Sequence, residues 1–147
     1  SEEDLIKFVN DFKEVFKKLS PEEVAFPRSC NNLNKYSDSS SIYKKGTPIH
    51  VKGGLIYNHY IYRNKLQMKY PLIKDGDKIK FLMLKQPNTI KDTVISFSTR
   101  IPEEFNLHKY VDYDTQFEKT FTDPLKFILD SIGWKLEREA SLESFFE

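Results

Sequence analysis

At 147 residues, with 39% hydrophobic and 31% charged side chains, the chain is sized for one domain with a real core and is not a disordered polypeptide. A lone cysteine, Cys30, excludes an internal disulfide and fits a reducing compartment, and no apolar run approaches the roughly 20 residues of a membrane-spanning helix. The net charge of +1 conceals a partition. Residues 1–27 hold four lysines against seven acids (net −3), residues 28–85 hold twelve Lys or Arg against three acids (+9), and residues 86–147 hold seven against twelve (−5). A basic middle between acidic flanks points to a polyanionic partner.

In chain order, residues 1–19 predict an amphipathic helix. Ser1 stands as its cap, Glu2, Glu3 and Asp4 lie at the positive end of the dipole, and Leu5, Phe8, Val9, Phe12, Val15, Phe16 and Leu19 form the apolar stripe. The aromatics on that stripe read as core. Ser20-Pro21-Glu22-Glu23 starts a second, short helix that Pro27 closes. Residues 28–45 read as an irregular loop, with turn-forming Asn31, Asn32 and Asn34 and a polar run from Ser37 to Ser41. Thr47 is the expected cap of a helix that begins at Pro48 and runs to about Arg63. Gly53-Gly54 inside it costs about 1 kcal/mol per residue against Ala, which close backbone packing would offset, most simply that of a neighbouring helix.

Asp75-Gly76-Asp77 is a turn, and residues 78–85 form the best strand, alternating first and then wholly apolar, as a central strand does. Residues 93–97 make a second strand, paired antiparallel with the first. After Pro102 a helical stripe runs from Asn106 to Phe121 with a break near Tyr113, and Asp123-Pro124 restarts a helix that Gly133 stops. The fold class expected is α+β, mostly helical with a small antiparallel sheet. The chain opens at Ser1 without an initiator Met, so a processed or excised piece of something longer is expected.

The informative stretch is Phe26 to Tyr62, where cations, amides, hydroxyls and aromatics interleave almost without acids. Such a surface suits a phosphodiester backbone: Lys and Arg release counterions, while Ser, Asn and backbone N–H groups bond phosphate oxygens. Catalytic chemistry is not indicated. His50, His59 and His108 lack neighbours at metal-ligand spacing, and no phosphate-cradling Gly-rich loop is present. Asp75/Asp77 and Asp112/Asp114 mimic carboxylate pairs, but the first is a polar turn and the second does not share a helix face. The basic loop would mildly activate the Cys30 thiol, with no base to assign to it.

Several motifs occur in order along the chain: Ala25-Phe26-Pro27-Arg28-Ser29, Asn31-Asn32-Leu33-Asn34-Lys35-Tyr36, Ile42-Tyr43-Lys44-Lys45-Gly46-Thr47-Pro48-Ile49-His50-Val51-Lys52-Gly53, Asn106-Leu107-His108-Lys109-Tyr110, and the end of the chain from Ile132-Gly133-Trp134 to Phe146. Together they resemble the thumb domain of the family B replicative DNA polymerases of T-even-type phages. The resemblance covers essentially the whole chain. It implies a thumb-like DNA-binding domain over residues 1–139 and a sliding-clamp-binding tail over residues 140–147. It implies that Arg28, Ser29, Asn31, Asn32, Lys35, Tyr36, Lys44 and Lys45 contact the backbone of primer–template duplex, with His50 and Lys52 close behind. Ser141, Leu142, Phe145 and Phe146 would plug into the clamp as one helical turn; the alternative is a tail folded back on its own core. Palm and fingers are missing, so the chain would not polymerise DNA unaided. It would act with a separate palm/fingers portion that carries the catalytic Mg2+, as a split subunit or an excised domain, in the cytoplasm of a bacterial host. No cofactor, metal or membrane partner is expected in this chain.

Two other readings stay open from the residues. One is a stand-alone single-stranded DNA- or RNA-binding protein that stacks bases on Tyr36, Tyr43 and Tyr57. The other is an assembly module whose basic middle docks on an acidic protein.

Overall fold

A computed structural model describes residues 1–134. The fold is α+β, and the described elements divide into two compact units, residues 20–112 and residues 1–19 with 113–134.

In the larger unit, helix α2 (Pro21–Val24) starts on a full capping box: the Ser20 hydroxyl accepts from the Glu23 N–H while the Glu23 carboxylate accepts from the Ser20 N–H. Strand β1 (Phe26–Ser29) follows, where an irregular loop was expected from Arg28 onward. Its partner is distant in sequence: β1 pairs antiparallel with β4 (Lys78–Met83), Phe26 opposite Phe81 and Ser29 opposite Lys78. Pro27 is tolerated because β1 is an edge strand, where a missing N–H need not break a ladder. Strand β5 (Val94–Phe97) pairs on the other side of β4, so the expected antiparallel pair is present with β4 central. Between β1 and the sheet's second strand lie helix α3 (Leu33–Tyr36), the short hairpin β2 (Ser37–Asp38) and β3 (Ile42–Tyr43), and the long helix α4 (Ile49–Arg63).

The core of this unit forms where α4 packs on the sheet, chiefly on β5: Val51, Ile56 and Ile61 of α4 are buried, as are all four residues of β5. Of the glycine pair it is Gly53 that makes that contact, and its partner is a strand rather than a helix. A Cβ on Gly53 would lie 2.8 Å from the Ser96 amide nitrogen and 3.0 Å from the Ile95 carbonyl carbon, both on β5. The Ser96 hydroxyl, buried at this junction, donates to the His50 carbonyl at 2.7 Å. Thr47 does not cap α4. Its hydroxyl turns back to the Lys44 carbonyl at 2.5 Å, and Pro48 occupies the cap position with no side-chain bond. After β5 the expected helical stripe begins only as two 3-10 turns, Glu103–Phe105 and His108–Tyr110.

In the smaller unit, helix α1 (Glu2–Phe16) is capped by the Ser1 hydroxyl, which accepts from the Asp4 N–H. Its buried residues are Ile6, which the expected stripe left out, Val9 and Phe16; Phe8 and Val15 are exposed, and Phe12 is partly exposed while its ring packs on Phe117 and Phe121. Helix α5 (Tyr113–Phe117) passes through a π segment, Glu118–Thr122, into α6 (Asp123–Ser131). The helix expected to restart at Asp123-Pro124 does begin at Asp123, but as a continuation of the preceding turns. Pro124 cannot donate to residue 120, and the wider turn keeps the backbone helical by bonding the Asp123 N–H to the Glu118 carbonyl. Phe16 meets Phe117 edge-on at 5.2 Å between ring centroids, and the Tyr113 hydroxyl donates to the Leu19 carbonyl at 2.6 Å. Lys13 and Lys17 both pair with the Asp114 carboxylate, at 3.2 and 3.4 Å.

Candidate nucleic-acid interface

All ten residues read as DNA-contacting lie in the larger unit, and its backbone draws most of them into two groups. The first is built on the exposed end of β1. Arg28 and Ser29 project from the edge strand, with the Arg28 guanidinium 5.8 Å from the centre of the Phe81 ring. His50, in the first turn of α4, lies 6.3 Å ring to ring from the same phenylalanine. Burial and then the Arg28 charge push the His50 imidazole below its ordinary pKa, against an opposing hydrogen bond with the Ser29 backbone. At neutral pH His50 is therefore a neutral donor–acceptor and adds no charge to the surface. Lys78, opposite Ser29 in the ladder and exposed, extends this group; the strand alternation of β4 was legible, but its register with β1 was not.

The second group is built on α3 and the hairpin. The Lys44 N–H donates to the Tyr36 carbonyl at 2.9 Å, so Lys35, Tyr36, Lys44 and Lys45 converge. Lys35 sits 5.3 Å from the Tyr36 ring centre. Gly46, at φ +84°, takes the left-handed conformation that lets the turn feed directly into α4. The first turn of α4 carries no acid and no side-chain cap, so its leading N–H groups and positive dipole end stand beside Lys44 and Lys45. Arg28, Lys35, Lys44 and Lys45 have no carboxylate at ion-pair distance among the described residues. Asn31 and Asn32 form the turn that joins the groups, with Asn32 at φ +67°; the Leu33 N–H behind them is satisfied by the Asp75 carboxylate at 3.2 Å.

Lys52 is different. Its ammonium pairs with Asp92 at 3.0 Å and is turned away from solvent phosphate. Asp92 was missed in the sequence because it lies 40 residues on, in the acidic flank. Of the rings offered for base stacking, Tyr57 is buried, its hydroxyl donating to the Pro71 carbonyl at 3.0 Å, and Tyr43 is held by Asp92 and covered by Lys52. Cys30 is also buried rather than set in a reactive loop. Desolvation, with Asp75 and Asp77 adding, pushes its thiol up to about 11, the reverse of activation.

A cleft of about 340 Å³ opens beside the hairpin, lined by Leu33, Asp38, Ser39, Ser40, Ile42 and Tyr62 among others, with no Lys or Arg. The Ser40 N–H and hydroxyl and the Ser41 N–H hold the Asp38 carboxyl below its ordinary pKa, so this cleft repels phosphate. Three of the carboxylates noted in the sequence have structural partners: Asp75 the Leu33 N–H, Asp77 the Lys74 N–H at 2.8 Å, and Asp114 two lysines, Lys13 and Lys17. Ser141, Leu142, Phe145 and Phe146 lie outside the described residues. No helix among the described residues is long and apolar enough to cross a membrane.

No protein-family model matches the chain. It is 28% identical over 149 residues to the DNA-directed DNA polymerase of Enterobacteria phage T4, an alignment covering 99% of this chain and 16% of that protein. It is 30% identical over 137 residues to the DNA-directed DNA polymerase of Escherichia phage RB69, covering 90% and 15% respectively. Along nearly its whole length, then, the chain is similar to about one sixth of a phage DNA-directed DNA polymerase.

Proposed function

We propose that this chain is the thumb part of a family B DNA polymerase of phage type: residues 20–112 grip the backbone of primer–template duplex, and the chain acts with a separate palm/fingers portion. The observation that carries the reading is that the exposed Lys44 and Lys45 stand in the turn leading into the uncapped, acid-free N-terminus of α4, with Arg28, Ser29 and Tyr36 on the adjoining elements. Cations with no carboxylate partner, together with free backbone N–H groups, are what a phosphate backbone takes up, and none of them reads base identity. The similarity to phage DNA-directed DNA polymerases over about one sixth of their length supports the same reading, with DNA as the polyanion.

Catalysis then belongs to the palm/fingers portion, which would also hold the Mg2+. The exposed apolar residues of the smaller unit, Phe8, Phe12 and Val15 on α1 and Phe127, Ile128 and Ile132 at α6, suit contact with that portion. The tail residues Ser141, Leu142, Phe145 and Phe146 tether the assembly to a sliding clamp, in the cytoplasm of the bacterial host. Base stacking is the weaker reading, because Tyr57 is buried and Tyr43 is engaged.

The test is binding to primer–template duplex, single-stranded DNA and RNA over a salt series. Duplex is expected to bind best, and replacing Lys44 and Lys45 with Ala is expected to lower the slope of log K against log salt by about 1.8, at about 0.9 per phosphate contact. Preference for single strands, or an unchanged slope in that variant, would refute the grip.

A further inference from the structure

Lys52 was counted with the DNA surface, yet its ammonium is spent on Asp92, 3.0 Å away, and the two side chains are only 24% and 13% exposed. The same carboxylate accepts the Tyr43 hydroxyl at 2.6 Å and the Thr93 N–H at 2.7 Å. Lys52 Nζ also lies 4.8 Å from the Tyr43 ring centre, so one cation holds both partners. Behind Asp92, the Asn88 amide braces the loop by donating to the Lys85 and Asp92 carbonyls at 2.8 and 2.7 Å. The carboxyl is accordingly kept ionised: burial raises its pKa, but the bonds from Tyr43, Thr93 and Lys52 outweigh this and hold it below the ordinary value.

What this anchor holds is the residue immediately before Lys44 and Lys45. Ile42, one step earlier, sits at φ +72°, a region that a β-branched side chain seldom enters and keeps only where its surroundings over-determine it. The hairpin therefore leaves β3 in a strained direction, with Tyr43 pinned to a loop 49 residues away in sequence.

We infer that Asp92, acting through Tyr43 and Lys52, is a positioning residue that fixes the Lys44–Lys45 turn beside the N-terminus of α4, so that an acid supports the binding of a polyanion. The inference rests on the duplex-gripping reading of the same surface. Bulk electrostatics gives the opposite sign: deleting a carboxylate near a basic surface, and releasing Lys52, should raise affinity for phosphate.

The experiment measures affinity of the full 147-residue chain for a primer–template duplex at fixed low salt, with unfolding midpoints recorded alongside. Asp92→Asn is expected to weaken binding about tenfold despite the lost negative charge, and Tyr43→Phe, which changes no charge, about threefold. In a Lys44→Ala, Lys45→Ala background neither substitution should weaken binding further, since the anchor acts through those lysines. Unchanged or tighter binding by Asp92→Asn overturns the inference, and so does an equal loss in both backgrounds, which marks Asp92 as a general stabiliser. If the lysine variant alone binds duplex as well as the parent, the grip itself fails and this role falls with it; if only the Asp92 arm fails, the grip stands.

Discussion

Gly53→Ala is the substitution for which local and tertiary reasoning disagree most sharply. Within a helix the change should stabilise by about 1 kcal/mol, because Ala loses less backbone entropy than Gly. The new methyl, however, would stand 2.8 Å from the Ser96 amide nitrogen and 3.0 Å from the Ile95 carbonyl carbon, atoms of a buried strand that cannot swing aside. It would also displace the Ser96 hydroxyl, which contributes a bond to the His50 carbonyl. Overpacking at the upper end of about 1–3 kcal/mol, with about 1 kcal/mol for the lost bond, outweighs the propensity gain and leaves a net loss of about 2–3 kcal/mol. Gly54→Ala is the control. Its methyl would meet the Cys30 sulfur at 3.2 Å and the tips of Leu33 and Ile73 at 3.7 and 3.8 Å, side-chain atoms that yield by tenths of an ångström. That variant should stay within about 1 kcal/mol of the parent. Urea unfolding followed by circular dichroism reads both. A Gly53→Ala protein as stable as the parent, or a Gly54→Ala protein that is the more damaged of the two, would refute the account of how α4 packs on β5.

Two further outcomes are expected. Because the Cys30 thiol is raised from 9.0 to about 11, the unfolded chain loses that proton first; its contribution to stability is complete below pH 9 and disappears as pH rises to about 11, amounting to about 3 kcal/mol. Unfolding free energies of parent and Cys30→Ala across that window measure it, and iodoacetamide labelling of the native chain at the unfolded rate would contradict the burial. Replacing Phe145 and Phe146 with Ala should abolish binding to the cognate sliding clamp, read by surface plasmon resonance, while duplex affinity stays unchanged; a parallel loss of duplex binding would make the tail part of the core.

The sequence was enough, by itself, to determine features whose causes lie within a few residues. The start of α2 at Ser20-Pro21, the span of α4 to Arg63, the central position of β4 with β5 beside it and the segregation of charge each follow from neighbours along the chain. The candidate surface was legible for the same reason, since Arg28 to Lys45 are contiguous and nearly free of acid. Tertiary structure decided whatever depends on a partner far along the chain. Arg28 and Ser29 read as the start of a loop, after Pro27 and before the asparagines, until β4 supplies a ladder about fifty residues later. Local period offered Phe8 and Phe12 as core, but only Ile6, Val9 and Phe16 are buried. Gly53 announced a close approach without saying to what, and the answer was a strand. Lys52 carries the same charge as Lys44 and Lys45, yet a carboxylate 40 residues away pairs with it and takes it out of the exposed basic surface. Propensity, capping and charge density are short-range quantities that a chain displays in order; pairing, burial and ion-pair choice are settled only when folding brings distant residues within a few ångströms.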